Sequence, residues 1–309
     1  MTDRPSAQAA EGVTDAGIVD AHVHLWDVDR MRLSWWRPEL SLPRAATTAA
    51  LREAALRAAP AAAPAPEEPG ASTPEPVRGA IAVQAADTLG EAAWLAGLAA
   101  GDPFLRAVVL QYDARPSAGW AGTAQPVVDG ARSRVAGIRL ATPGGAADFS
   151  DVPGLEALAA GLAATGRVLE LLIRREQLPA AAALARRHPD LSIVVCHLAI
   201  GGDLPDRAWR RAIDALAAQP NTAAKVSGLV REPSDGADDA RVREIVHHAF
   251  DAFGADRLLF GSDWPISARF ADYADVVRRT ADALPALSDA ERAAFWTGTA
   301  TRRYALASA

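Results

Sequence analysis

The sequence predicts an α/β protein folded as one closed (β/α)8 (TIM) barrel, and three observations carry that expectation. Short apolar runs alternate with alanine- and leucine-rich segments of helical spacing along most of the chain. The runs number eight, which is how many parallel strands, joined by crossover helices, close a barrel. No Gly-x-Gly-x-x-Gly follows the first run, which argues against an open doubly wound sheet.

Taken in order, the strand runs fall at 18–24, 79–84, 105–111, 135–140, 168–173, 192–197, 222–227 and 257–263. Helical spacing between them is plainest at 155–165, 177–187, 207–218 and 241–253. Residues 288–306 read as a closing helix over the barrel, with Ser288 as N-cap and Glu291 at the capping-box position. Two segments stand apart. Residues 1–17 are polar and alanine-rich without a signal-peptide pattern, and are expected to form a disordered lead-in. Ala-Pro repeats at about 58–76 are expected to form a solvent-exposed insertion in the first crossover, because such a segment buries too little apolar surface to order itself. The single domain is then 18–306.

The composition narrows the function. The 309 residues carry a formal net charge of −6 and no basic run, which argues against nucleic acid or anionic lipid as the partner. No apolar stretch approaches the roughly 20 residues that span a bilayer, so the expected partner is a small-molecule substrate, with self-association into a homo-oligomer left open. The lone cysteine, Cys196, lies within Ile193-Val194-Val195-Cys196, excludes an internal disulfide and reads as a small buried hydrophobe in a reduced, cytoplasmic setting. Lysine occurs once, as Lys225 within a strand run, where a compact ammonium differs from the guanidinium used everywhere else.

Barrel active sites lie at the C-terminal ends of the strands, so the last residues of each run are the candidates. His22-Val23-His24 ends the first run, and side chains two apart on a strand point the same way. Gln84, Gln111, Arg139, His197, Lys225 with Ser227, and Asp263 end others. His22, His24, His197 and Asp263 are the expected catalytic set, because imidazoles beside a carboxylate serve proton transfer or metal binding. Arg139, Gln84 and Lys225 are the expected substrate contacts, with Arg139 suited to an anionic oxygen group. Trp26 and Trp264, directly after the first and last runs, are the candidate aromatic walls. Glu170 lies mid-strand and is expected in a buried salt bridge with Lys225 or Arg139. His188, His247 and His248 read as surface residues.

Several motifs together resemble the amidohydrolase superfamily: Asp20-Ala21-His22-Val23-His24-Leu25-Trp26-Asp27, Val83-Gln84-Ala85, Gly137-Ile138-Arg139, Lys225-Val226-Ser227-Gly228-Leu229 and Phe260-Gly261-Ser262-Asp263-Trp264-Pro265. Their order is most similar to its lactonase branch, the 2-pyrone-4,6-dicarboxylate hydrolase and L-fucono- or L-rhamnonolactonase group. The resemblance spans about residues 18–306. It implies hydrolysis of a cyclic ester, with Asp263 matching the catalytic aspartate and His22, His24 and His197 the site histidines. Two departures stand out. Cys196-His197-Leu198-Ala199-Ile200-Gly201-Gly202 replaces the branch's Asp-His and Gly-Lys-Pro, and Thr299-Ala300 replaces an Asn-Ala pair.

A histidine followed by small residues also resembles the superfamily's metal-dependent decarboxylases, so a lyase of an unsaturated or aromatic acid is the alternative. A non-catalytic binding barrel is the third. Two-metal members draw ligands from the fourth and fifth strands, and here those strands offer Arg139 and no histidine. One zinc or manganese on His22, His24 and Asp263, with His197 or water completing the shell, stands beside a metal-free site.

Overall fold

The computed structural model describes residues 17–58, 76–85, 88–112, 134–231 and 237–307. Eight parallel strands form the sheet: β1 (Ile18–Val23), β2 (Val77–Val83), β3 (Leu105–Gln111), β4 (Val135–Ala141), β5 (Val168–Leu172), β6 (Ile193–Val195), β7 (Thr222–Val226) and β8 (Leu258–Phe260). Each pairs with its neighbours in sequence order. The ring closes beyond the ladder, where Val23 bridges Trp264, His24 N donates to the Trp264 carbonyl at 2.7 Å and Asp263 N donates to the His22 carbonyl at 2.9 Å. First and last strands are therefore neighbours, as the sequence implies.

Around the ring lie α1 (Thr48–Ala58), α2 (Leu89–Gly101), α3 (Leu155–Ala164), α4 (Leu178–Arg187), α5 (Arg207–Ala217), α6 (Ala237–Phe253) and α7 (Tyr273–Asp282). Local chemistry sets their starts: Asp206 accepts from Trp209 N to cap α5, and Asp272 accepts from Asp275 N to cap α7. The expected lead-in and Pro/Ala-rich insertion lie, but for their edges, outside the described residues. The C-terminal helix (289–303) begins on the expected Ser288/Glu291 capping box and carries a π turn at Ala294–Gly298. Its Ala300, Tyr304 and Leu306 join Val19, Ile81, Val109, Val194 and Leu259 in the inner cluster, so the segment plugs the barrel's base.

Two strands stop at least two residues before their expected C-terminal ends, and the differences shape the site. β6 stops at Val195 because His197, Leu198 and Ala199 take left-handed φ of 55°, 51° and 51°. β8 stops at Phe260, and Asp263 has φ of 60°. Non-glycine residues in this region cost roughly 1–2 kcal/mol each, and such costs gather at functional sites.

Candidate active site

Four predicted residues converge at the C-terminal mouth of the barrel. Asp263 Oδ1 lies 3.7 Å from His22 Nε2, 3.6 Å from His24 Nε2 and 4.0 Å from His197 Nε2, and the His22 and His24 Nε2 atoms are 3.2 Å apart. The β1 register shifts between Asp20 and Val23, which bends the strand end. Asp20 fixes that bend. One carboxylate oxygen accepts from His22 N at 3.0 Å and Ser262 N at 2.9 Å, and the other accepts from the Tyr273 hydroxyl at 2.9 Å.

Each ring is tethered. The Nδ1–H of His24 donates to the Val83 carbonyl at 2.8 Å, which in the neutral ring leaves Nε2 as an acceptor. His197 Nδ1 meets Ser227 Oγ at 2.8 Å. His22 Nδ1 lies 3.2 Å from Lys225 Nζ, and since an ammonium has only donors to offer, the ring proton belongs on Nε2, facing His24 and Asp263.

Electrostatics sets the carboxylate apart from the imidazoles. Burial pushes the Asp263 carboxyl up, but His197, the bond and charge of His24, and Arg231 together outweigh it and hold the group below its ordinary value. Burial pushes His197 down to about 4, partly opposed by Asp263, and His22 falls further through burial and the charge on Lys225. Near neutral pH the site thus holds an ionised carboxylate beside the neutral imidazoles of His22 and His197.

A cavity of about 410 Å³ opens above this cluster, lined by His24, His197, Asp263, Arg139, Arg231, Gln111, Trp35 and apolar neighbours including Leu172 and Ile266. A larger hollow of about 770 Å³ at the opposite end of the barrel is lined by five arginines and carries no histidine or carboxylate among the described residues. Volume does not locate the chemistry; the convergence of titratable groups does.

Several predicted contacts fall elsewhere. Trp26 is fully buried and donates its indole N–H to the Pro43 carbonyl, and Trp264 packs where β8 meets β1; neither lines the cavity. Gln84 spends its side chain on the backbone, accepting from Gln111 N at 2.8 Å and donating to the Thr88 carbonyl at 3.0 Å. Lys225 lies beneath the floor, fully buried and 2.6 Å from Glu170 Oε1. Glu170 also accepts from the Tyr304 hydroxyl at 2.6 Å and the Cys196 thiol at 3.4 Å, so Cys196 is more than a buried hydrophobe. His22 is likewise below the floor, touching His24 and Asp263 but not the cavity. Arg139 does line the cavity, bonded to the Gln84 carbonyl and to Gln111 Oε1 rather than to Glu170.

Sequence reading missed Trp35 and Arg231. Both sit in loops, away from the strand-end positions that carried the other expectations. The exposed rim of Trp35 left no periodic signal, and Arg231 was one arginine among many. His188 and His248 pair with Glu156 and Asp214, away from the site, and His247 is exposed.

The donor set suits one metal ion. Bonds of roughly 2.0–2.1 Å in a tetrahedron separate ligand atoms by about 3.3 Å, close to the 3.2–4.0 Å spacings found. The Val83 carbonyl beneath His24 is the outer acceptor a metal-bound imidazole uses. A lower grouping of His22, Glu170 and Cys196 is also compact, but Lys225 already bonds to two of its members.

Gly228 lets the floor close. Its φ is +60°, and an added Cβ would lie 2.8 Å from His197 Nδ1 and 3.2 Å from Asp263 Oδ2. Gly228→Ala is expected to reduce kcat by about 10²-fold, the usual penalty for displacing reacting groups by an ångström. Steady-state kinetics on the folded variant checks this; an unchanged kcat contradicts it.

The amidohydrolase family profile matches residues 19–306, and the chain belongs to that family. It is 35% identical over 243 residues, 73% of this chain and 80% of the other, to an L-fucono-1,5-lactonase of Burkholderia multivorans (strain ATCC 17616 / 249). A crystal structure of an amidohydrolase from Burkholderia multivorans with bound zinc superimposes with a TM-score of 0.76 at 31% identity, covering 94% of this chain and 100% of that one. A 2,6-dihydroxybenzoate decarboxylase shares the fold, with a TM-score of 0.64 at 16% identity, covering 94% of this chain and 99% of that one. Among the described residues no helix is long and apolar enough to cross a membrane.

Proposed function

We propose that the protein hydrolyses a lactone, with Asp263 as general base. The observation that carries this reading is a buried, ionised carboxylate ringed by three imidazoles on the floor of a cavity sized for one small ring. The lactonase relative supports the choice of a cyclic ester. Asp263 takes a proton from water as its oxygen attacks the carbonyl carbon. The oxyanion meets donors from Arg139, Arg231 and the Nε2–H that His197 carries when Ser227 donates to its Nδ1. Collapse breaks the ring C–O bond, and Asp263 returns the proton to the leaving alkoxide. The product is an open hydroxy acid, which releases one proton near neutral pH.

One divalent ion, zinc or manganese, held by His22, His24 and Asp263 with His197 or water, would polarise the carbonyl as a Lewis acid when bound. Arg139 keeps an N–H face toward the cavity, which suits a substrate with an anionic or strongly polar oxygen group beside the scissile ring. Arg139→Lys is expected to raise KM for an acidic lactone about 10-fold more than for a neutral one; equal losses would remove the anchor role.

The decarboxylase alternative rests on fold alone. A panel of lactones and aromatic acids, read with a pH dye and a carbon dioxide sensor, tests the reading. Proton release from a lactone supports it, carbon dioxide from an aromatic acid replaces it with the lyase, and no turnover on any member leaves a binding barrel.

A further inference from the structure

We propose that the arginine-lined hollow at the base of the barrel binds an oligophosphate, a chain of two or more linked phosphates, at a site separate from the catalytic cavity. The hollow measures about 770 Å³ and is lined by Arg52, Arg78, Arg106, Arg134 and Arg167. Four of these come from successive strands. Arg78 and Arg106 are the second residues of β2 and β3, and Arg134 and Arg167 immediately precede β4 and β5. Neighbouring strands lie about 4.8 Å apart, so the fold sets out one guanidinium per strand along a curved row.

The row has a repeating construction, in which each side chain leans toward the strand before its own. Arg78 crosses Gly17, and Arg106 crosses Gly79, where an added Cβ would lie 2.6 Å from the Arg106 Cγ. Arg134 donates to the Leu105 carbonyl at 2.8 Å, and Arg167 Nε donates to the Val135 carbonyl at 3.2 Å. Arg106 also bonds to the Ala307 carbonyl. These bonds hold the side chains in place but cancel no charge, because a carbonyl is neutral.

Exposed arginines elsewhere on the protein meet carboxylates, as Arg57 does with Glu53, Arg187 with Glu156 and Arg278 with Asp275. The hollow is different. Arg52 pairs with Asp102, but Arg106, Arg134 and Arg167 are half-buried and form no ion pair with a carboxylate among the described residues. Like charges gathered in one hollow repel each other, and an entering anion relieves that repulsion. Pro103, Phe104 and Leu306 give the row an apolar wall, which lowers the local dielectric and strengthens such contacts.

The arrangement selects among anions. A guanidinium binds phosphate oxygens through paired N–H donors, and a row of them matches charge that is itself spread along a line. Linked phosphates supply that line; a single phosphate or a compact polycarboxylate does not.

Calorimetry of the full chain in about 0.15 M salt tests this with tripolyphosphate, citrate and orthophosphate as probes. Tripolyphosphate is expected to bind at one site per chain, about 10-fold more tightly than citrate and about 100-fold more tightly than orthophosphate. Arg134→Gln and Arg167→Gln keep an amide donor and remove only the charge, and each should weaken tripolyphosphate about 10-fold. Arg231→Gln, in the catalytic cavity, should leave that affinity within about 2-fold. Chelation of a metal ion by the probe would be the same in all of these variants, so the differences among them report on the hollow. Hydrogen exchange on the wild type needs no variant: tripolyphosphate should slow the amides at 104–107 and 165–168 and leave those at 228–231 unchanged. Binding lost in Arg231→Gln and kept in both basal variants would place the anion in the catalytic cavity and overturn the proposal. Equal affinity for citrate and tripolyphosphate, or tripolyphosphate binding no tighter than orthophosphate, would overturn it as well.

Discussion

Asp263→Asn is expected to lower kcat by about 10²–10⁴-fold while leaving the fold intact, the range associated with loss of a general base. Asparagine preserves the shape of the side chain but accepts no proton from water at neutral pH. The effect should fall on kcat more than on KM, because the proton moves only in the transition state. Buried imidazoles do not substitute: His197 and His22 sit below their ordinary values and lie 4.0 and 3.7 Å from the carboxylate they would replace. Retention of wild-type turnover by a folded Asp263→Asn protein contradicts the assignment.

The second large effect concerns stability. Lys225 and Glu170 form an ion pair at 2.6 Å with both side chains fully buried. Removing one partner strands the other charge in the barrel, which typically costs about 3–5 kcal/mol. Lys225→Met should therefore lower the unfolding free energy by about that amount in urea titrations. Lys225→Met/Glu170→Gln should recover most of the loss, because a neutral replacement for a buried pair is often tolerated. The Tyr304 hydroxyl and Cys196 thiol can still bond to Gln at 170, so the double variant leaves few polar groups unmet. Equal destabilisation of single and double variants would mean that packing volume, not stranded charge, sets the cost.

Much of the barrel was legible because β-branched runs recur with helical segments between them, and eight parallel strands have few other ways to close. The candidate cluster was legible for a related reason: His22, His24, His197 and Asp263 lie at or just beyond the C-terminal ends of β1, β6 and β8, which face one mouth. What strand-end position does not reveal is height and direction. Lys225 and His22 lie one layer below the cavity floor, where the register shift in β1 and the network around Glu170 place them. Gln84 points at the Gln111 amide at the end of β3 and the Thr88 carbonyl before α2, and Trp26 turns into the core against Trp35. The left-handed turn at His197–Ala199 has no glycine to announce it, so its shortening of β6 left no mark in the sequence.

A single turnover in H₂¹⁸O with enzyme in excess over a lactone substrate tests the central claim most directly. General-base hydrolysis by Asp263 places one labelled oxygen in the carboxylate of the product and none in the Asp263 side chain, read by mass spectrometry of the product and of the peptide spanning that residue. Label in the Asp263 carboxylate with an unlabelled product would show that the residue attacks the carbonyl itself, and that water enters only when an acyl-enzyme is resolved.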